Sequence, residues 1–269
     1  MESQFQGNDR PLAVITGASS GIGYELAKVF ATNGFDLIVV AEDEKILDAG
    51  NAFRAIGTKV ESLQIDLAKP GGVDELYNKI KSFDRPIDSI AINAGVGVSG
   101  AFADNDLEEE MNMIQLNIVS LVHLAKHVVR DMIAVGEGRI MFTSSIAAEM
   151  PGPYYAVYAA SKAFVQSFAE ALHNEVKEQG VVVTALQPGP TDTNFFARAH
   201  MLDTPAGQGK KDSAAEVALH GFEALMAGRD HVVAGSLKNN FQVGVARLMT
   251  EATAAKVQAK QTKPFSEKH

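Results

Sequence analysis

The stretch LAVITGASSGIG, residues 12–23, decides the fold. Leu12–Thr16 is an apolar run without alternation, which is how a strand reads when helices cover both of its faces. It runs into Gly17, Gly21 and Gly23, and a helical pattern spans Gly21–Asn33. Glycines at such a junction let the backbone approach a pyrophosphate. The helix N-terminus behind them presents free N–H groups and a positive dipole end. Gly17, Ser19, Ser20, Gly21, Ile22 and Gly23 therefore form a candidate dinucleotide phosphate loop; the alternative is a tight turn that merely needs glycine. The spacing is Gly-x3-Gly-x-Gly. The commoner Gly-x-Gly-x2-Gly spacing occurs at Gly95, Gly97 and Gly100, but the next helical pattern begins only near Leu107, so those glycines open no helix. That loop is rejected as the phosphate site and is placed along the cofactor instead.

Working outward, Asp36–Ala41, Val60–Ile65, Ile87–Ile92, Arg139–Thr143 and Val181–Leu186 read as further buried strands. Helical patterns cover Asp43–Ile56, Gly72–Phe83, Leu107–Val135 and Tyr158–Glu178. The β-α alternation implies right-handed crossovers and one α/β domain: a doubly wound parallel sheet of about seven strands with helices on both faces. Residues 1–269 show no internal linker. Ala206–Asp212 reads as a flexible loop, and the Ala-, Lys- and Gln-rich end from about 251 as a helix fraying into a disordered tail.

The formal net charge of −9 argues against nucleic acid or an anionic membrane as partner. With no cysteine, disulfides, thiolate catalysis and Cys-based metal sites are impossible. The polar N-terminus carries no signal-like apolar segment, and no run approaches the ~18 residues of a membrane span. A cytoplasmic location is expected.

Tyr158 and Lys162 are four apart on a predicted helix and share a face. The spacing alone is weak, since it recurs at Tyr24/Lys28 and Tyr77/Lys81. Context separates them. Only Tyr158 has a serine thirteen residues upstream, Ser145, at a predicted strand end; the decoys have Pro11 and Gln64 there. Only Tyr158 falls at the C-terminal side of the sheet, where such folds bind ligands.

TGASSGIG, the INAG of residues 92–95, Asn117, Ser145, the YAASK of residues 158–162 and the PGPTDT of residues 188–193 occur in order. Together they resemble the compact single-domain branch of the short-chain dehydrogenase/reductase family, across residues 12 to about 235. PGPYYAVYAASKAF and QPGPTDTNFF are similar to a DltE-like, ketoacyl-reductase-like subgroup. The resemblance implies a Rossmann fold and interconversion of a secondary alcohol and a ketone with a nicotinamide cofactor. It implies Tyr158 as general acid/base and Lys162 holding ribose hydroxyls and lowering the tyrosine pKa. Ser145 would bond the substrate oxygen, and Asn117 would support a water chain to Lys162. It also implies cofactor contacts by Asp66 at the adenine with Leu67 beside it, by Asn93, Ala94 and Gly95, and by Pro188, Gly189, Thr191 and Thr193. A free phenol titrates near 10. A cation at ~4 Å and effective dielectric 20 is worth ~4 kcal/mol, enough to lower it by up to about 3 units. A redox-inactive dinucleotide sensor is the competing reading, but such a protein would be free to lose these four residues, and all are present. Sugar-nucleotide epimerase relatives carry a larger C-terminal domain than this chain has room for.

The subgroup usually has Arg after the second strand, suited to a 2′-phosphate. This chain has Ala41-Glu42-Asp43. Two carboxylates repel a phosphate and Glu42 can accept from a ribose 2′-hydroxyl, so NAD is expected over NADP. Relatives pair the two long helices after the fourth and fifth strands, and Leu121, Leu124, Val128, Phe164, Phe168 and Leu172 exceed one sheet-facing stripe. A homodimer or homotetramer is expected. Thr193–Asp212 reads as a mobile lid whose Phe196 and Met201, with Val96, Val98, Ala147, Met150 and Tyr155, wall an apolar pocket for a small-molecule alcohol or ketone with an apolar part. Glu149 is the one charged exception. His123 and His127, also four apart, lack the Glu of a zinc-protease motif and an obvious third ligand, so they are read as a helix face or a subunit contact and no metal is expected. The acidic run Asp104–Glu110 is read as helix N-terminal charge.

Overall fold

The computed structural model describes residues 10–246 and 248–267. Among them, seven strands form one parallel sheet in the order β3-β2-β1-β4-β5-β6-β7. They are β1 (Leu12–Thr16), β2 (Asp36–Ala41), β3 (Val60–Gln64), β4 (Ser89–Ile92), β5 (Gly138–Thr143), β6 (Val181–Pro188) and β7 (His231–Ala234). The order reverses between β1 and β4, so the C-terminal ends of these strands open a crevice there. β1, β2 and β4 are buried along their whole length, as their unbroken apolar runs require.

Eleven α-helices are described: α1 (Gly21–Thr32), α2 (Lys45–Arg54), α3 (Gly72–Lys81), α4 (Leu107–Ile114), α5 (Leu121–Val135), α6 (Ala156–Val176), α7 (Phe195–Arg198), α8 (Pro205–Gln208), α9 (Ala214–Met226), α10 (Leu237–Ala246) and α11 (Glu251–Thr262). One core layer packs α3, α5 and α6 against one face through Leu76, Leu124, Val128 and Val165. The other packs α1, α2 and α9 through Leu26, Phe30, Phe53 and Phe222. Phe30 meets Phe35 and Phe222 edge-on at 5.0 Å, a favourable arrangement of ring quadrupoles.

Four expectations need correction. The helix read as Leu107–Val135 is interrupted by a π-helical segment, Gln115–Ser120, which carries Asn117. Ala206–Asp212 is not wholly loop: Pro205–Gln208 is a short helix whose cap, Thr204, accepts from Gly207 N–H. The end is not frayed over 251–262, where α11 forms with Thr250 as its cap. Leu121, Leu124 and Val128 are buried in the core of the single chain and so are not free for a subunit contact. The acidic run behaves as read: Asp106 caps α4, accepting from the N–H groups of Glu108 and Glu109.

Candidate active site

A cavity of about 580 Å³ lies along the C-terminal ends of the strands. At one end is the glycine turn. Gly17 has φ +69°, and a Cβ on Gly23 would fall 2.1 Å from Gly17 O, so both positions require glycine. The first turn of α1 is left open: Ser20, at the cap position, makes no side-chain cap bond and no acidic residue follows. The chain thus presents uncapped N–H groups and a bare dipole end beside a backbone stripped of side chains, which fits a pyrophosphate. Ser19, Ser20, Gly21 and Ile22 line the same cavity.

Asn93 ties the strand ends together. Its N–H donates to Thr16 Oγ1 at 3.0 Å, its Nδ2 to Thr16 O at 3.1 Å, and its Oδ1 accepts from Thr143 Oγ1 at 3.0 Å. Ala94, Gly95 and Val96 then run along the cavity wall. Asp66 and Leu67, just past β3 at the sheet edge, also line it, and Asp66 Oδ1 accepts from Ala68 N–H. Pro188, Gly189, Thr191 and Thr193 line the opposite side. Thr191 donates to Gly189 O, and Thr193 Oγ1 accepts from Phe195 N–H, so both hydroxyls shape their own turn.

Ser145, Tyr158 and Lys162 all line this cavity. Ser145 leaves the end of β5 and accepts from Ala147 N–H, which fixes the hydroxyl oxygen. Tyr158 stands on α6, close enough to Ser145 for the serine to act on its phenol. One turn on, Lys162 donates from Nζ to Thr143 O at 2.8 Å, while its carbonyl accepts from Ser144 Oγ. Strand β5 thus fixes the base of the helix turn that carries both groups. Burial pushes the Tyr158 phenol up to about 12, with Ser145 acting the other way. Burial alone lowers Lys162 to about 8. Lys162 Nζ lies 5.8 Å from the Tyr158 ring centroid.

Asn117 sits at the π-helical break. Its Oδ1 accepts from Val96 N–H, and its Nδ2 donates to Val96 O and Ser161 Oγ. The position of a Cβ on Gly95 would lie 3.1 Å from Asn117 Oδ1 and 3.3 Å from Lys162 Nζ, so the two side chains approach each other only across that glycine. The Asn117 amide is committed to backbone and Ser161. These bonds tie the π-helical break to the 95–96 loop.

Ala147, Met150, Tyr155, Phe196 and Met201 also line the cavity, while Val98 packs beside Met113 and Tyr158 outside its lining. Glu149 accepts from Gln187 Nε2 at 2.6 Å and does not line the cavity. Tyr155 is buried and receives a hydrogen bond from Gln258 Nε2 of α11. Sequence reasoning missed the tail entirely. Val257, Gln258 and Gln261 line the cavity and Ala254 is buried behind them. Their 254/257/258/261 spacing is a helical face that could have signalled it. It also missed Arg198, which lines the cavity and donates to Glu42 at 2.6 Å.

Residues 11–201 match the family described as short chain dehydrogenase. An uncharacterized oxidoreductase of Staphylococcus saprophyticus is 33% identical over 217 residues, covering 80% of this chain and 90% of that protein. The mouse dehydrogenase/reductase SDR family member 7B is 30% identical over 227 residues, covering 80% and 70%. Among solved structures, a short-chain dehydrogenase from Sphingobium yanoikuyae in complex with NADPH superposes with a TM-score of 0.78 at 29% identity, covering 83% of this chain and 87% of that one.

Proposed function

The chain belongs to the short-chain dehydrogenase/reductase family, and on that premise we propose that it interconverts a secondary alcohol and a ketone with a nicotinamide cofactor, Tyr158 moving the proton. The observation that carries this reading is the convergence of Ser145, Tyr158 and Lys162 on one cavity that also holds the uncapped α1 terminus. When bound, the nicotinamide supplies or takes the hydride. In reduction, the neutral Tyr158 hydroxyl donates its proton to the carbonyl oxygen; in oxidation the phenolate form takes the proton from the alcohol. Ser145 holds the same oxygen from the strand side. Lys162 has Nζ protons beyond the one given to Thr143 O, available to ribose hydroxyls, and its positive charge favours the phenolate.

The apolar walls around Tyr155, Phe196 and Met201 support a ketone or alcohol with an apolar part. The test is Tyr158→Phe, which removes one hydroxyl and little volume. Acid/base catalysis is typically worth ~10²–10⁴-fold, so turnover on a panel of ketones should fall by that order while dinucleotide binding persists. More than about half of wild-type kcat in that variant would overturn the assignment.

A further inference from the structure

Away from the cavity, helices α3 and α5 bring together three ligand-type side chains that the sequence separates. His123 and His127 lie one turn apart on α5, and Asp74 stands in the first turn of α3. Their donor atoms lie within 4.8 Å of one another. Asp74 Oδ1 is 3.3 Å from His123 Nε2 and 3.7 Å from His127 Nε2. The third ligand that the His-x3-His spacing lacks is therefore supplied across the helix pair.

We propose that Asp74, His123 and His127 form a binding site for a divalent first-row transition metal, with zinc the ion that best suits it. The distances favour a bridging ion over direct contact. Good N–H···O bonds run ~2.7–3.2 Å, and both separations exceed that range. Metal bonds of ~2.0–2.2 Å at tetrahedral angles set neighbouring ligand atoms ~3.4 Å apart, between the two observed values. His127 Nε2 is buried with no hydrogen-bond partner, a cost that coordination would remove. Its ring is held by stacking on Tyr77 at 4.2 Å and 17°, and Tyr77 is itself fixed by donating to Asp131. Imidazole and carboxylate together suit zinc, copper or nickel over calcium or magnesium. Three protein ligands leave a coordination position for water. None of the three residues lines the cofactor cavity, so the ion would staple α3 to α5 rather than take part in hydride transfer.

The experiment uses tag-free, chelator-stripped full-length protein titrated with zinc chloride, followed by calorimetry and thermal unfolding, with cobalt(II) absorption as a second readout. One equivalent should bind saturably, raise Tm and give the intense visible bands of a cobalt ion bound by nitrogen and oxygen in low coordination. His127→Ala and Asp74→Asn should each weaken zinc binding at least about tenfold. Both residues lie outside the cavity, so dehydrogenase turnover should be unchanged. Absence of saturable binding to the wild type overturns the proposal. So does unchanged affinity in the folded double variant, which would place the zinc on other histidines.

Discussion

Arg198 of α7 donates to Glu42, just past the end of β2, at 2.6 Å, joining residues 156 apart in the chain. One partner belongs to the dinucleotide half of the sheet and the other to the segment that covers the cavity. Both side chains are about half exposed, 50% and 47%. Such a pair is worth at most about 1 kcal/mol in water, so it can break and re-form at little cost. It also sets the charge where the adenine-side ribose should lie. Glu42 is partly neutralised by Arg198, while Asp43 accepts from Ser19 Oγ at 3.0 Å.

That charge pattern gives the first prediction. Wild type should prefer NAD over NADP in kcat/KM, because a 2′-phosphate would meet two carboxylates. Glu42→Ala removes one of them and frees Arg198 to face the phosphate. One unit charge at ~4 Å is worth ~1–4 kcal/mol between water-like and protein-surface screening, so the preference should move at least about fivefold toward NADP. Adenosine 2′,5′-bisphosphate binding by calorimetry should tighten in the same variant, and adding Arg198→Ala should reverse much of the gain. A tenfold preference of the wild type for NADP would overturn this reading.

The second prediction concerns Lys162, whose pKa burial lowers from its ordinary 10.5 to about 8. At neutral pH the folded chain holds a protonated, buried ammonium, at a cost of roughly 3 kcal/mol. Between pH 8 and 10.5 the unfolded chain binds more protons at this group than the folded one, so its contribution to stability rises with pH across that window. Lys162→Met forfeits the bond to Thr143 O but removes the charge. It should be inactive and still more stable than wild type at pH 7, by roughly 1–3 kcal/mol. The gap should close as pH rises from 8 to 10.5 in denaturant titrations. A variant less stable than wild type at pH 7 would show that the hydrogen bond outweighs desolvation.

Strands β1, β2 and β4 were legible because each is buried along its whole length, so composition alone marks it, whereas β3 carries Glu61, Ser62 and Gln64 outside the buried class. β7 was not: His231–Ala234 is short, only partly buried and at the sheet edge, with little apolar signal to read. Ser145, Tyr158 and Lys162 were legible because chain order and spacing reproduce their geometry. Arg198 was not, since its meaning depends on a partner far away in sequence. Asp74 failed for the same reason, lying 49 residues before His123.

The third prediction is the oligomeric state. With Leu121, Leu124 and Val128 consumed by the core, the large apolar residues left exposed on α4 to α6 are Leu107, Met111, Val119, Val135 and Phe164. Phe164 stacks on Phe168 at 5.9 Å, which holds its ring in place on the α6 surface. A dimer or tetramer is expected to cover this face. Light scattering at micromolar concentration should give a multiple of 28.7 kDa. Phe164→Glu should shift the mass toward monomer; a monomeric wild type removes the premise.

The last prediction is that α11 and the 193–212 segment close the substrate side together. Gln258 Nε2 donates to Tyr155 Oη, and Thr262 Oγ1 donates to Pro153 O at 2.7 Å, which fixes α11 to the approach to α6. Further on, Phe265 N–H and Ser266 N–H donate to Asp203 O and Oδ2, at 2.9 and 3.1 Å, which ties the same tail to the covering segment. Tyr155 is held neutral, its phenol pushed up by burial and by nearby Tyr158, with the Gln258 bond opposing. Phe196 and Met201 pack with Ala199 in a small cluster of their own, separate from the main core. Such a cluster can move as a unit at little cost to the fold. Truncation after Thr250 should therefore leave the sheet and cofactor binding intact and expose one wall of the cavity. KM should rise at least about tenfold for ketones with a large apolar arm and change little for small ones, since only the former reach the tail. Phe196→Ala and Met201→Ala should act in the same direction. Equal KM changes for large and small ketones would mean that the tail stabilises the enzyme without shaping its pocket.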